Sequence, residues 1–312
     1  MKLLVFYLSD NNRHFAFPHF VKLLEESNIK KVWKLIVLTH NDDVNFYKNI
    51  LNSTEINHEE FLFSDHNNYL NKVNFAIKHA KDNDIKYMMK CDNDIFMRGR
   101  TLDYMINNLE LLDNDNNLTL GPLLSSGIPC VEYFIAVFLT DEQQITLKNK
   151  FIRTEFTDLW GAKYTGLNKF TTQSDGWDGN AFLDGVKQLS HHYKGIHPIR
   201  VNLDAISYLN SCIVKNKSRF YDDSELSTIA DNKSPYLCNS IFCIKTSTYE
   251  TLVNDRTLYV DSFEEVPLNK YSWKNNTSHM FVKNGFAIHP YYNTFPNYRI
   301  DEEKFCNDFF NF

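Results

Sequence analysis

Short apolar runs alternate with longer amphipathic segments over the first 125 residues, and this alternation restricts the chain to few folds. The runs are bounded by polar turns and are too short for helices, so they predict strands at 3–8 (LLVFYL), 34–39 (KLIVLT), 60–64 (EFLFS), 85–91 (IKYMMKC) and 118–124 (LTLGPLL). Helical patterns lie between them, at 15–27, 43–51, 69–82 and 101–112. Alternating strands and helices predict an α/β fold in which helices cover both faces of a mixed, mostly parallel sheet.

The tripeptide Asp-Asn-Asp occurs three times, at 82–84, 92–94 and 113–115. The first and third copies end predicted helices and precede predicted strands, so we expect them to form turns at the edge of the sheet where the strands begin. The copy at 92–94 directly follows a buried strand. Because ligands of open α/β sheets bind outside the carboxyl ends of the strands, only this copy is expected at the ligand edge.

Asp92 and Asp94 have side chains that suit a divalent cation. Two carboxylates one residue apart on a turn can face one ion and leave positions open for water and phosphate oxygens, as Mg²⁺ and Mn²⁺ prefer. A calcium loop of the EF-hand type is excluded, because the sixth position from Asp92 is Met97 rather than glycine. The alternative is that the two carboxylates only form a turn or cap the helix that starts near Thr101.

The segment KYMMKCDNDIF, on the fourth strand of this alternating unit, resembles the DxD region of glycosyltransferases with the GT-A fold. The resemblance covers the strand order of the first 125 residues and two later segments. It implies a Rossmann-like GT-A domain and a nucleotide-sugar donor whose diphosphate is bridged by Mn²⁺ or Mg²⁺ to Asp94 and Asp92. Asp92 or Asn93 would lie near the ribose, and the cation would neutralise the charge of the departing nucleoside diphosphate.

The two later segments supply a base and a third metal ligand in this resemblance. In VDSFEEVPLNKY, Glu264 and Glu265 are similar to the acidic position that provides the catalytic base of inverting members, although Asp261 lies close by. A carboxylate that merely begins a helix would give the same pattern. In KNGFAIHPYYN, His289 matches the C-terminal histidine that often ligates the metal in GT-A enzymes, and His279 is the competing candidate.

Polar side chains after the first two strands are the candidates for binding the nucleotide. These are Ser9, Asp10, Thr39 and Asp42, and they are joined by Lys72 on the helix that the fold packs beside the donor crevice. Solvated polar residues are also common after strands, so the alternative at each position is a polar side chain that binds no ligand. His191, His192 and His197 lack metal spacing and are expected in the acceptor-side region or as structural residues.

We expect one GT-A catalytic domain over residues 1–312. Its parts would be a nucleotide-sugar-binding half at 1–125, an irregular acceptor-side region at 126–230, and a C-terminal half at 231–312 that carries the catalytic acid and the third metal ligand. The opening MKLLVFYL is expected to be a buried strand rather than a signal peptide, because Ser9 and Asp10 interrupt it early.

Composition narrows the possible partners and compartments. A net charge of −6 argues against a protein that holds nucleic acid mainly through its phosphates. The six cysteines include no CxxC pair, which favours reduced thiols in a cytoplasmic protein, encoded by a cell or by a virus or phage. No apolar run approaches the roughly 20 residues of a membrane span.

Rival functions lack their own motifs in this sequence. A sugar-phosphate nucleotidyltransferase or a dinucleotide-binding enzyme needs a glycine-rich loop after the first strand, where this chain has SDNNRHFAF. A non-catalytic carbohydrate-binding or interaction protein would explain the many aromatic residues, but it would leave the placed DxD, the Glu pair and His289 unexplained. The acceptor is expected to be a glycan, with a protein or a hydroxymethylated DNA base as the alternatives.

Overall fold

The protein is described by a computed structural model that covers residues 2–9, 13–27, 33–40, 44–63, 69–125, 130–153, 155–157, 163–165, 203–231, 237, 240–255, 265–290 and 299–310. The strands of these regions are β1 Leu3–Leu8, β2 Trp33–His40, β3 His58–Phe63, β4 Tyr87–Asp92, β5 Phe96–Met97, β6 Asn117–Leu124, β7 Glu155–Thr157, β8 Lys163–Thr165, β9 Ser227–Asp231, β10 Ile241–Lys245 and β11 Ser278–Ile288. The helices are α1 Ala16–Glu26, α2 Val44–Leu51, α3 Tyr69–Asp82, α4 Gly99–Asn107, α5 Cys130–Phe138, α6 Asp141–Arg153, α7 Leu203–Lys215, α8 Lys217–Phe220, α9 Thr246–Asn254, α10 Glu265–Asn275 and α11 Arg299–Phe310.

Nine of the described strands form one sheet in the order β3-β2-β1-β4-β10-β6-β11-β5, with β9 also paired to β11. The first four are mutually parallel. β10 runs antiparallel to both of its neighbours, β4 and β6, and β6 is parallel to β11. Six strands therefore run in one direction, while β10, β5 and β9 run in the other. The predicted fold class, a mixed and mostly parallel sheet flanked by helices, is confirmed.

The central strands are continuous apolar runs because helices cover the sheet on both faces. All six residues of β1 are buried, as are the first five of β4. α1 turns Phe17, Phe20 and Leu24 into the core at the spacing of an amphipathic helix. The five strands and the first three helices predicted from the first 125 residues are thus present, with bounds shifted by at most a few residues.

The fourth predicted helix, over 101–112, is interrupted. α4 ends at Asn107, and a short 3₁₀ helix follows at Leu109–Asp113. Asn108 between them leaves the helical conformation and its side-chain amide donates to the carbonyl of Tyr104, 2.8 Å away. Asparagine side chains compete in this way with helical hydrogen bonding, which explains why the helix stops there.

The last apolar segment forms one long strand, β11. A register shift between Val282 and Phe286 accommodates Asn284, whose φ is 62°, so the strand bends without reversing. Sequence patterns predicted no regular elements in 126–230, yet the described part of that region contains helices α5 to α8, and its β9 pairs with β11. The proposed division into parts at 125 and 230 stays a prediction.

Among the described residues, no helix is both long enough and apolar enough to pass through a bilayer.

Candidate active site

Strands β2, β1 and β4 end side by side, and their ends bring several predicted site residues to one edge. Leu38 of β2 lies opposite Leu8 of β1, which lies opposite Asp92 of β4. The residues that follow therefore leave the sheet together. The structure places Ser9, Thr39 and the tripeptide 92–94 at this carboxyl edge, where ligands of α/β sheets bind.

Asp94 is the centre of a buried ionic cluster. Its Oδ2 lies 3.2 Å from Nε2 of His289 and 3.6 Å from Nη1 of Arg13. Nε of Arg13 donates in turn to Oε1 of Glu302 at 3.1 Å. The side chains of all four residues are at most 8% exposed. Two potential cations and two carboxylates from four distant segments thus share one buried position at the ligand edge.

Opposing effects set the pKa of Asp94. Burial favours the neutral carboxyl and tends to raise the pKa, but the charges of His289 and Arg13 outweigh burial and hold the pKa of this carboxyl well below its usual range. Glu302 shows the other balance, because burial raises its pKa more than Arg13 lowers it. Asp94 is therefore the member of the cluster that is held ionised.

The backbone around His289 is fixed on both sides. Its N–H donates to Oγ of Ser125 at 2.9 Å, and the same hydroxyl donates to the carbonyl of His289 at 3.2 Å. The side-chain amide of Asn210 donates to the carbonyl of Pro290 at 3.0 Å. Contacts from the end of β6 and from α7 therefore set the position of the imidazole beside Asp94.

His279, the competing candidate, lies at the other end of β11. It is fully buried, and its Nδ1 is 2.8 Å from Oγ1 of Thr119, which is fully buried as well. The strand runs about ten residues between the two histidines, or roughly 33 Å at 3.3 Å per residue. Of the two, only His289 reaches the carboxyl edge, and the contact of His279 is one of internal packing.

Asp92 has a different environment from Asp94. The ammonium of Lys90, on the same strand and almost fully buried, lies 2.9 Å from Oδ1 of Asp92 and 5.1 Å from the ring centre of Tyr69. The Asp92 side chain is 27% exposed. A role for Asp92 as a metal ligand stays a prediction, and its partial exposure leaves the carboxylate accessible to a hydroxyl of a ligand.

The remaining candidates for nucleotide binding are paired inside the protein at the same edge. The hydroxyl of Ser9 is hydrogen-bonded to that of Tyr47. The ammonium of Lys72 donates to Nδ1 of His40 at 2.7 Å, and both residues are buried. Thr39 and Asn93 are also buried, and the carbonyl of Asn93 accepts a bond from the Tyr7 hydroxyl at 3.4 Å.

Eight positions considered in the sequence have no described side chain. Asp10, Asp42 and Glu264 lie outside the described residues, and so do Asp261, His191, His192 and His197. Glu265 is the first residue of α10, and only its place in the backbone is described. The assignment of a catalytic base therefore stays a prediction.

Sequence patterns missed Arg13 and Glu302. The one signal for Arg13 is its place in the connection after β1, which leads along the ligand edge into α1. Glu302 carries no such signal, because it lies on α11, a helix without a clear apolar stripe that the sequence did not predict.

Asp94 and His289 form a donor pair that suits Mn²⁺ or Mg²⁺. Carboxylate oxygen and imidazole nitrogen are ligands that such ions accept. Neighbouring ligands on an octahedral ion at about 2.1 Å lie about 3 Å apart, close to the 3.2 Å between Oδ2 and Nε2. No group of three or more His, Cys, Asp or Glu in the described part of the chain could hold a metal. A cation held here would be completed by water and by phosphate oxygens of a substrate.

No protein-family model and no curated protein matches the sequence. Solved structures similar to it include S. aureus TarS and GalNAc-T7. S. aureus TarS aligns over 41% of this chain and 22% of its own length, with 16% identity and a TM-score of 0.32. GalNAc-T7, solved with UDP, GalNAc and Mn²⁺, aligns over 92% of this chain and 43% of its own length, with 9% identity and a TM-score of 0.48.

The chain therefore spans less than half the length of either structure. Both proteins are glycosyltransferases. At these identities and TM-scores the likeness concerns the fold alone, and no residue role is taken from it.

Proposed function

We propose that the chain is a metal-dependent glycosyltransferase that moves a sugar from a nucleoside-diphosphate sugar to an acceptor hydroxyl. The observation that carries the proposal is the buried contact of Asp94 Oδ2 with His289 Nε2, 3.2 Å apart, at the carboxyl edge where β4 ends. An ionised carboxylate and an imidazole that converge there from distant segments favour a cation site over a simple turn or helix cap.

Asp94 and His289 would hold Mn²⁺ or Mg²⁺. When bound, the cation supplies Lewis-acid stabilisation of the departing nucleoside diphosphate. Asp92, oriented by Lys90, accepts hydrogen bonds from hydroxyls of the donor, and Asn93 lies beside the ribose. Ser9, Thr39 and Lys72, together with Asp10 and Asp42, would surround the nucleotide at the ends of β1 and β2.

The transfer forms one bond and breaks one. The oxygen of the acceptor hydroxyl bonds to the anomeric carbon, and the bond from that carbon to the β-phosphate oxygen breaks with its electron pair left on the phosphate. The hydroxyl proton passes to a carboxylate, Glu265 or Glu264, which acts as general base. Attack in a single step on the face opposite the departing phosphate inverts the anomeric carbon.

A glycan is the acceptor that we favour, with a protein or a hydroxymethylated DNA base as the other outcomes of an acceptor screen. The described cysteines, at 91, 212, 243 and 306, are buried and form no disulfide bonds. Reduced cysteines suit a reducing compartment, and we place the enzyme in the cytoplasm on that ground.

A panel of nucleoside diphosphates and their sugars, screened by thermal shift with Mn²⁺ and again with EDTA, tests the proposal. A ligand that binds only the native state raises the apparent melting temperature. We expect at least one sugar nucleotide to stabilise the protein with Mn²⁺ and not with EDTA, and to release nucleoside diphosphate once an acceptor is present. Stabilisation by free sugars alone, with no nucleotide binding, would instead identify a non-catalytic carbohydrate-binding protein.

A further inference from the structure

Arg13 lies where an anionic ligand of this edge would arrive. It belongs to the connection between β1 and α1, and its side chain is 8% exposed. α1 begins three residues later with no acidic residue in its first turn, and its N-cap Phe15 makes no side-chain hydrogen bond. The positive end of an α-helix and a guanidinium therefore meet at the carboxyl edge, and both favour phosphate.

Glu302 and Asp94 contact the guanidinium at different distances. Nε donates to Oε1 of Glu302 at 3.1 Å, which is a hydrogen bond, whereas Nη1 is 3.6 Å from Oδ2 of Asp94, which is beyond one. Glu302 thus anchors Arg13 through Nε. The two terminal nitrogens carry the other four N–H donors, in the planar fork that matches phosphate oxygens.

Stability alone is a poor explanation for this arrangement. Glu302 is 1% exposed, and taking such a carboxylate and a guanidinium out of water has a desolvation cost that their attraction only partly offsets. Among the described residues, the second carboxylate oxygen of Glu302 also has no hydrogen-bond partner. An apolar pair of similar size would pack here at no greater cost, so the charges point to a ligand.

We propose that Arg13 binds the diphosphate of the sugar donor and stabilises the negative charge that develops on its β-phosphate as the sugar leaves. Glu302 is the positioning residue that holds the guanidinium through Nε. The inference rests on the proposed function, and it adds a second source of positive charge beside the cation that Asp94 and His289 would hold. Charge placed in advance at a buried site is effective because it needs no reorganisation during the reaction.

Replacing Arg13 should affect the affinities for metal and for anion in opposite directions, and this distinguishes diphosphate binding by Arg13 from a purely structural role. Arg13 stands beside Asp94, so its charge opposes a divalent cation there and attracts a diphosphate. Replacement of Arg13 should therefore weaken diphosphate binding and leave Mn²⁺ binding as strong or stronger. A residue that only kept Asp94 in place would weaken both when replaced.

The test uses the full chain and measures binding without turnover. Mn²⁺ affinity is measured by electron paramagnetic resonance of the free ion, and the affinities for inorganic pyrophosphate and inorganic phosphate by titration calorimetry at saturating Mn²⁺. The variants are Arg13→Gln and Arg13→Lys, which keeps the charge without the fork. Arg13→Met/Glu302→Leu is added because it removes both buried charges together and so protects the fold if Arg13→Gln fails to fold.

We expect wild-type protein to prefer pyrophosphate to phosphate, and Arg13→Gln to lose about 10- to 100-fold in pyrophosphate affinity, the value of one or two charge-assisted hydrogen bonds. Arg13→Lys should fall between the two, and the double variant should behave like Arg13→Gln.

Unchanged pyrophosphate affinity in a folded Arg13 variant, or parallel loss of Mn²⁺ and pyrophosphate, would overturn the assignment of Arg13 while the glycosyltransferase proposal stands. If wild-type protein binds Mn²⁺ but neither pyrophosphate nor any nucleoside diphosphate, both proposals fail. Pyrophosphate binding that depends on Arg13 in a protein that transfers no sugar would keep the anion site and overturn only the proposed function.

Discussion

The tripeptide Asp-Asn-Asp occurs at both edges of the sheet. The two edges differ in which charged residues contact its carboxylates and in how deeply those contacts are buried. At the amino edge, Asp82 is 2.5 Å from Lys78, one helical turn earlier, and Asp113 is 2.6 Å from Lys86. All four of these side chains are at least 43% exposed. At the carboxyl edge, Asp94 is 8% exposed and faces His289. The exposed ion pairs contribute little to the free energy of unfolding, whereas the buried contact keeps the Asp94 carboxyl ionised.

Position relative to the strand, rather than sequence, explains this difference. The copies at 82–84 and 113–115 lead into β4 and β6, so they lie on the solvated side where strands begin. Asp94 follows β4, and the residues that enclose it come from the β1–α1 connection, the end of β11 and α11. An identical carboxylate is a surface charge in one place and a candidate ligand in the other.

The largest effect is expected when the buried carboxylate is neutralised. Asp94→Asn should abolish Mn²⁺ binding and lower turnover by about 10³-fold or more, because it removes the charged donor of the metal pair and with it several kcal/mol of charge stabilisation. Asp115→Asn is the matched control, since its carboxylate is 95% exposed and lies 3.0 Å from the ammonium of Lys245. Mn²⁺ titration followed by release of nucleoside diphosphate measures both.

If Asp94→Asn and Asp115→Asn have the same Mn²⁺ affinity and the same turnover, the proposed functional difference between the two edges of the sheet is wrong. If Asp94→Asn binds Mn²⁺ like wild type, the metal does not bind at Asp94, and Asp92 becomes the residue to test.

His279 near the start of β11 and His289 just after its end allow the same comparison along one strand. His289→Ala should weaken Mn²⁺ binding at least about tenfold, since loss of even an outer partner of a metal ligand has an effect of this size. His279→Ala should leave Mn²⁺ binding intact but lower the free energy of unfolding by about 1–3 kcal/mol, because it leaves the buried Thr119 hydroxyl without that bond. Denaturant titration and metal titration on both variants check the two halves. A loss of metal affinity in the folded His279 variant would contradict the assignment.

The fold was predictable where its signals are local. β1 to β4 and α1 to α3 follow from apolar runs and three- to four-residue steps within each segment, and these match the structure closely. The insertion of β10 between β4 and β6 depends on pairing between segments far apart in the chain, which no local pattern encodes. Within 126–230, α7 was missed even though it is about as amphipathic as α3, so a local signal for this helix was present in the sequence.

The candidate site divides in the same way. Asp94 was predictable because its strand fixes the edge at which it emerges, and His289 because a strand and a known resemblance place it. Arg13 and Glu302 were not, since a charged residue in a polar connection or on a weakly patterned helix is normally solvated. Their burial arises only when α11 packs beside the β1–α1 connection, a tertiary event.

A smaller effect should appear in the pH dependence of stability. The folded pKa of Asp94 lies below its ordinary value, so its ionic contacts contribute stability that is present above the unfolded pKa, about 3.9, and is lost as the pH falls toward the folded pKa. In EDTA, wild type should exceed Asp94→Asn in unfolding free energy by about 2 kcal/mol at pH 7. The difference should shrink steadily below about pH 4. A constant difference from pH 7 to pH 3 would show that the carboxylate is not stabilised by its neighbours.

The smallest effect concerns a carboxylate that is partly buried without a cation to offset burial. Burial raises the pKa of Asp103, on α4, to about 6. The pH dependence of stability is therefore opposite in sign to that of Asp94. The contribution of Asp103 to the free energy of unfolding is complete below its unfolded pKa and is lost as the pH rises through 6. Asp103→Asn removes the charge that burial penalises, so it should stabilise the protein at pH 8 by up to about 1 kcal/mol, a value reduced because solvent still screens the group. At pH 4 the gain should vanish. Urea titrations at both pH values measure it, and a gain of equal size at pH 4 would show that the substitution acts through packing and not through charge.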